Sequence, residues 1–300
     1  MKKAIVLLFL SVLLVSFSSY AQRWKRTRYE AIIGLGASNY LGELGGADQV
    51  GTNFIKDLEL GMTRLAMGVG LRYKLTGAVS LKSSLSYSRI KGDDKLTKEP
   101  SRNNRNLSFK SPIIELSVQI EPSIIKERVG HRYRFKGIKG KKGFFLNTYP
   151  FIGIAVFYFN PKAKLGGKWH ALQPLSTEGQ GFFDTRKKYS RIQIAIPYGM
   201  GFKYGYKRNW SFGLELKIRK TFTDYLDDVS TTYISNSYIY QVKGPEAAAL
   251  ADRSDGSQPN KTAAGQQRGD IKDKDSYFSA IFSLNYKFRW KKRRRSRPKF

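Results

Sequence analysis

Residues 189–205, YSRIQIAIPYGMGFKYG, alternate apolar side chains with polar or small ones along most of their length. Ile192 and Ile194 fall on one face of such a stretch and Gln193 falls on the other, which is the period of a β-strand. Residues 64–74 repeat the pattern. Strands of soluble domains are typically about five or six residues long, whereas tilted strands that cross a membrane need about ten. These longer runs therefore predict membrane-crossing strands.

The chain contains eight long segments that we interpret in this way, although the fifth, residues 144–159, is apolar on both faces. They are residues 29–38, 62–73, 79–90, 111–121, 144–159, 189–205, 211–222 and 277–288. An even number of strands returns the chain to the side of the membrane on which it started. In bacterial outer-membrane barrels, short turns face the periplasm and long loops face outside. The sequence therefore predicts an all-β fold, an eight-stranded antiparallel transmembrane β-barrel over residues 29–288, with long extracellular loops and periplasmic termini.

The start of the chain predicts export to the cell outer membrane. A basic start, an apolar run over residues 4–15 and small residues at Ser19 and Ala21 together form a signal peptide, 1–21. The apolar run is too short to span about 30 Å of hydrocarbon as a helix. After cleavage we expect a short basic N-terminal segment, 22–28, followed by the barrel.

The composition argues against catalysis. The 300 residues include no Cys and two His, which excludes disulfides, thiolate nucleophiles and zinc–thiolate sites. The predicted topology places His131 in the periplasm and His170 outside, so the two cannot share an acid–base site. We therefore expect a protein that is not an enzyme, with no cofactor and no small-molecule substrate.

The net charge is unevenly distributed over this topology. The chain carries 54 Lys and Arg against 23 Asp and Glu, a formal net charge of +31. About +23 belongs to the periplasmic segments, whereas the external loops carry about +1. Since an exported chain is separated from the genome, we expect no nucleic-acid partner for this charge.

A basic periplasmic face is predicted from two segments, the connection 122–143 and a basic C-terminal tail, 289–300. Its residues are Arg128, Arg132, Arg134, Lys136, Lys139, Lys141, Lys142, Arg293, Arg294 and Arg295. Two interpretations stay open. The face either contacts lipid head groups, or it docks an acidic periplasmic protein with an affinity that falls as salt screens the charges.

The barrel interior is predicted to hold a charge network. Its residues are Arg64, Arg72, Glu115, Arg191, Glu215 and Arg219, with Lys82, Glu121 and Lys217 on the same inward faces. Eight strands enclose a lumen that side chains just fill, so opposite charges are expected to pair there. A small channel is the alternative.

An acidic cluster follows the seventh segment. Asp224, Asp227 and Asp228 lie where the chain leaves the membrane. Their carboxylates would suit a rim Ca²⁺ ion or the hydrogen bonding of a turn, and both interpretations stay open.

Four stretches resemble the PorG-like outer-membrane β-barrel family of Bacteroidota. They are SNYLGELGG (38–46), YFNPKAKLGGKWHALQPLSTEGQG (158–181), YSRIQIAIPYGMGFKYG (189–205) and RKTFTDYLDDVSTTYI (219–234). The resemblance implies a component of the type IX protein secretion and gliding machinery. It also implies a periplasmic ring of PorK-like and PorN-like proteins as partner, beside the outer-membrane lipid. A stand-alone adhesin or surface-binding barrel that acts through the external loops is the alternative.

Overall fold

A computed structural model of the chain describes residues 27–42, 44, 60–97, 99–125, 146–207, 209–271 and 273–288. Within these residues the strands are β1 Tyr29–Leu41, β2 Arg64–Lys74, β3 Val79–Asp93, β4 Ser108–Pro122, β5 Leu146–Phe159, β6 Lys162–Leu165, β7 Lys168–Ala171, β8 Ile192–Gly205, β9 Trp210–Thr221 and β10 Ser276–Lys287. The α-helices are α1 Pro100–Arg105, α2 Asn236–Lys243 and α3 Pro245–Ala251. The predicted signal peptide, most of the basic N-terminal segment and the basic C-terminal tail lie outside the described residues.

Eight of the strands close into a barrel. β1 to β5 and β8 to β10 pair antiparallel with their neighbours, and β1 pairs with β10 from Glu30–Lys287 to Leu41–Ser276. The predicted eight-stranded antiparallel barrel is therefore confirmed. The short β6–β7 hairpin adds to it, because β6 continues the ladder of β4 beyond β5 at the pair Lys110–Lys162. In the part of the chain that the structure describes, none of the helices is long and apolar enough to cross a membrane.

The two ends of the barrel differ. We call the end with the turns 75–78 and 206–209 the turn end, and the opposite end the loop end. At the loop end, strands run further than predicted: β3 continues to Asp93 and β4 begins at Ser108. β8 begins three residues later than predicted, at Ile192, because Tyr189 packs among the loops instead.

The barrel exterior is apolar. Ile33 on β1 and Ile154 on β5 are 61% and 67% exposed, and similar side chains cover the outward face of the other strands. Rings line the turn end of this face, where Tyr29 contacts Tyr73 and Trp210 contacts Tyr286. An apolar band flanked by aromatic residues is the surface that a barrel presents to lipid.

The interior is layered from one end to the other. Toward the loop end it is a hydrophobic plug, in which the rings of Tyr40 and Phe109 lie 5.0 Å apart and those of Phe157 and Tyr277 lie 6.0 Å apart. Nearer the turn end, polar and charged side chains fill the lumen. The charged side chains that β2, β4 and β9 direct inward therefore lie together in one compact cluster.

Candidate functional site

Arg72 is the centre of the charged cluster, which we call the lumen cluster. Its guanidinium donates to Glu30 at 2.9 Å, to Glu121, and to Glu215 at 3.4 Å. Arg72 and Glu215 are only 3% and 5% exposed. Lys82 completes this half of the cluster, because its ammonium lies 2.6 Å from both carboxylate oxygens of Glu215.

A second set of contacts lies beside it. Arg219 donates to Glu115 at 2.8 Å, and the Tyr277 hydroxyl donates to the same carboxylate at 2.7 Å. Lys203 on β8 lies 3.1 Å from Glu30 on β1. These pairs join strands on opposite sides of the lumen, so charged side chains cross the barrel at this level. A cavity of about 40 Å³ beside Lys82, Lys217 and Ser84 is the size of a few water molecules.

The structure places two of the six predicted network residues elsewhere, and their assignment is corrected. Arg64 sits at the loop end of β2, where its guanidinium donates to the carbonyl oxygens of Thr63 and Gly61 at 2.8 and 3.3 Å. Arg191 precedes β8, and its guanidinium lies 5.6 Å from the ring centre of Tyr158 on the outward face. Both residues lie beyond the level of the lumen cluster. Arg72, Glu115, Glu215 and Arg219 lie within it.

Three members of the cluster were absent from the prediction. Glu30, Lys203 and Tyr149 are buried, and the Tyr149 hydroxyl donates to Glu215 at 2.9 Å. Strand parity would have identified two of them. Glu30 lies on the inward face of β1 together with Gly34, and Lys203 lies on the inward face of β8 together with Gly201. Gly201 opposes Tyr149, whose ring fills the space that a Cβ atom at Gly201 would need.

The loops at the loop end fold into a structure of their own. We call this the loop cap; it consists of residues 94–107, 160–191 and 222–275 of the described chain. At its centre the buried Glu178 pairs with Arg268 at 2.9 Å and accepts the backbone N–H groups of Ser230 and Thr231. Arg105 of α1 donates to Asp94 at 2.8 Å and to the carbonyl oxygen of Arg268. Buried ion pairs thus join the loops to one another over the barrel mouth.

The acidic cluster forms part of this cap. Asp227 accepts the hydroxyl of Tyr40 at 2.8 Å, and Asp228 accepts those of Tyr189 at 2.6 Å and Thr177 at 2.5 Å. Among the described residues, no group of three or more His, Cys, Asp or Glu side chains is arranged to hold a metal ion. The geometry accordingly favours the hydrogen-bonding interpretation of the cluster.

The loop cap is expected to become more stable as the pH falls from about 7.5 to about 5. Burial raises the pKa of the Asp228 carboxyl to about 6, although Arg268 and the hydroxyls of Thr177 and Tyr189 act in the opposite direction. In the unfolded chain the pKa of Asp is about 3.9. The folded cap therefore holds the proton more tightly, and the resulting stability is present below about pH 4 and is lost as pH rises through about 6.

Hydrogen exchange of the loop cap at the two pH values measures this effect, with an expected gain of about 1.4 kcal/mol at the lower pH. Asp228→Asn is the control, because Asn cannot titrate here and also tolerates the left-handed φ of 69° at this position. Equal pH dependence of the two proteins would show that Asp228 does not titrate in this range.

The turn end is basic and, outside the strands, free of described acidic residues. The described residues there are 27–28, 75–78, 123–125, 206–207, 209 and 288. Arg28 donates to the Tyr73 hydroxyl at 2.9 Å, and the Lys207 ammonium lies 5.2 Å from the ring centre of Tyr206. The residues of the predicted basic face all lie outside the described part of the chain: Arg128, Arg132, Arg134, Lys136, Lys139, Lys141, Lys142, Arg293, Arg294 and Arg295.

The closed sheet, the apolar exterior and the charge-filled lumen define a small transmembrane β-barrel. The model of the family described as a domain of unknown function (DUF6089) matches residues 3–162, and the chain belongs to this family. No curated protein matches the sequence.

Three solved structures are similar to this chain. The N-terminal β-barrel domain of OprF from Pseudomonas aeruginosa is 12% identical over 87% of this chain and 98% of that chain, with a TM-score of 0.34. OprG from the same organism is 10% identical over 88% and 98%, with a TM-score of 0.36. A major outer membrane protein from Thermus thermophilus is 12% identical over 87% and 99%, with a TM-score of 0.38.

Proposed function

We propose that this protein is a non-enzymatic outer-membrane barrel that anchors or helps assemble a periplasmic complex, with its turn end in the periplasm. The observation that carries the proposal is the charge asymmetry between the two ends. In the topology predicted from the sequence, the external loops nearly balance acidic and basic residues, while the periplasmic segments carry about +23. A surface of one sign recruits partners of the opposite sign.

The filled lumen supports an anchoring role over a transport role. Ion pairs from Arg72 to Glu215 and from Arg219 to Glu115 join β2 to β9 and β4 to β9 across the barrel. Opening a path through this level would require these buried opposite charges to separate. The barrel is therefore suited to hold a fixed position in lipid.

Two features of the turn end support a docking surface there. The nearby carboxylates of Glu30 and Glu121 point inward and are paired with Arg72. Outside the strands, the described residues of this end include Arg28 and Lys207 and no acidic residue. A surface of this kind would attract an acidic partner with an affinity that falls steeply as ionic strength rises.

Within this proposal, the resemblance to the PorG-like barrels of Bacteroidota indicates which proteins the partner would be. It points to the type IX secretion and gliding machinery, with a periplasmic ring of PorK-like and PorN-like proteins held in register beneath the membrane. The basic face predicted from the sequence would then be the side of the barrel that meets the ring.

A surface-binding barrel is the second candidate, and one observation favours it. Phe183 and Tyr238 form an exposed aromatic pair on the loop cap, with ring centres 5.7 Å apart. Exposed rings on a rigid support are common in binding surfaces. On this alternative the cap, and not the turn end, would carry the function.

Deleting the gene separates the two candidates. The anchor proposal expects type IX cargo to be lost from the medium and retained in the cell, and a plasmid copy of the parent to restore export. A copy carrying Arg293→Gln, Arg294→Gln and Arg295→Gln should restore export poorly. The matched control Lys187→Gln, Lys220→Gln and Lys261→Gln removes the same charge from the loop side and should restore it fully. Normal export with altered surface binding would instead establish the second candidate.

A further inference from the structure

A cluster of cations lies on the outward face of the barrel at the loop end. We call it the rim patch; it comprises Arg89 on β3, Lys110 on β4, and Lys162 and Lys164 on β6. Arg89, Lys162 and Lys164 all lie close enough to Lys110 to repel its positive charge. Lys110 directly opposes Lys162 in the sheet, and Lys91 opposes Lys110 on the other side. Like charges opposite one another weaken strand pairing, so this arrangement is unfavourable without a counter-charge.

The described residues around the rim patch supply no such counter-charge. Asp93 pairs with Lys91 at 3.3 Å, but no described carboxylate pairs with the four cations of the patch. Their close neighbours are aromatic: the Lys110 ammonium lies 3.3 Å from the ring centre of Trp169, and Arg89 donates to the Tyr87 hydroxyl at 2.7 Å. Aromatic contacts orient the cations without neutralising them.

The rim patch also sits at the edge of the lipid-facing surface. Ile114, four residues from Lys110 along β4, lies on the same outward face and is half exposed. At about 3.3 Å per residue, Lys110 therefore lies about 13 Å beyond Ile114 along the strand. Val156 on β5 and Ile192 on β8 extend this apolar surface beneath the patch. A ligand that reached both regions would need anionic groups joined to hydrocarbon chains.

Among the residues that the structure describes, the patch occupies one sector of the barrel. On β1, β2 and β10 the outward side chains at the loop end include Ala37, Leu65 and Phe278, β9 contributes the cation Lys220, and Arg191 lies just before β8. A cation belt that served general attraction to lipid head groups would surround the barrel. The clustering of four cations on β3, β4 and β6, against single cations elsewhere, instead indicates one bound molecule at one place.

We propose that the rim patch binds the phosphorylated head group of an outer-leaflet glycolipid, whose acyl chains lie along Ile114, Val156 and Ile192. The inference rests on the proposed placement of the loop end at the outer leaflet, and it is independent of the docking role of the turn end. Lys and Arg are the usual ligands of phosphate groups, and several cations together match a head group with more than one phosphate.

The experiment measures binding of diphosphorylated lipid A to the full purified barrel in detergent by native mass spectrometry. Dephosphorylated lipid A is the comparison ligand, and inorganic phosphate is the competitor. The parent should bind the diphosphorylated lipid at least about tenfold more tightly than the dephosphorylated one. The variant Lys110→Gln, Lys162→Gln and Lys164→Gln should lose on the order of 100-fold, given the contribution of each basic residue near an anionic surface.

The control variant Lys187→Gln, Lys220→Gln and Lys261→Gln has the same net charge as the rim-patch variant. It should bind the diphosphorylated lipid within about threefold of the parent. Heat-modifiable migration on gels verifies that each variant is folded. Equal binding of the two lipids, or unchanged binding by the rim-patch variant, overturns the proposal. Displacement of the lipid by millimolar inorganic phosphate also overturns it, since the patch would then be a general anion site. Because none of these readouts involves the turn end, failure here leaves the anchor proposal untouched.

Discussion

Replacing Glu215 by alanine is expected to lower the free energy of unfolding of the barrel by about 3–5 kcal/mol, since removing one partner strands a buried charge. The Glu215 carboxylate binds Lys82 through both oxygens at 2.6 Å and accepts the Tyr149 hydroxyl at 2.9 Å. Without it, the buried Lys82 ammonium loses its carboxylate partner and lies near the like charge of Lys217. Urea unfolding in lipid vesicles, followed by Trp fluorescence and gel mobility, measures the loss.

Removing both charges tests the cause of the effect. The double variant Lys82→Met and Glu215→Met should recover most of the loss, because replacing a buried ion pair with apolar side chains of similar volume is often close to neutral. The exposed Lys220→Gln should stay within about 0.5 kcal/mol of the parent. A change below about 1 kcal/mol for Glu215→Ala would mean that water or ions already reach Lys82 and that the lumen is not closed.

Replacing Gly36 by alanine is expected to weaken closure of the barrel by at least about 2 kcal/mol, or to prevent it, because overpacking against backbone cannot be relieved by a side-chain rotation. Gly36 lies on β1 at the seam with β10, opposite Ile281. A Cβ atom there would overlap the carbonyl oxygen of Ala280 and approach the Ile281 Cα within 2.8 Å. The two strands would have to separate at the seam that closes the sheet.

Folding yield and urea midpoint in lipid vesicles measure this change. Gly61→Ala is the matched control, since a Cβ atom at Gly61 meets no other atom within 4 Å. Gly61→Ala should fold like the parent, within about 0.5 kcal/mol. If Gly36→Ala also folds like the parent, the β1–β10 seam is looser than this account requires.

The fold was predictable because the barrel strands follow one simple rule. Ile192 and Ile194 face lipid while Ala195 faces the lumen, and a period of two also marks other strands, whereas residues 144–159 are apolar on both faces. The strand ends were less predictable, since they depend on contacts that no local pattern encodes. β8 starts late because Tyr189 stacks on Tyr225 and donates to Asp228, residues more than 30 positions away.

The lumen cluster was partly predictable for the same reason. Strand parity identifies Arg72, Glu115 and Glu215 as inward, but parity gives no height along the barrel axis. Arg64 shares the parity of Arg72 and still lies beyond the cluster, because only the pairing register fixes which inward residues share a level. The loop cap was beyond sequence reasoning, since its central pair, Glu178 and Arg268, is separated by 90 residues.

The most direct test of the anchor proposal is the affinity of the purified barrel for the purified PorK-like and PorN-like ring at about 50 mM and about 500 mM salt, where screening differs strongly. The comparison protein carries Gln at six positions of the predicted basic face: Arg132, Arg134, Lys136, Arg293, Arg294 and Arg295. The proposal predicts nanomolar to micromolar binding by the parent at low salt, weakened at least about tenfold both by high salt and by the six substitutions. Binding that neither salt nor the substitutions change, or no binding at low salt, would contradict it.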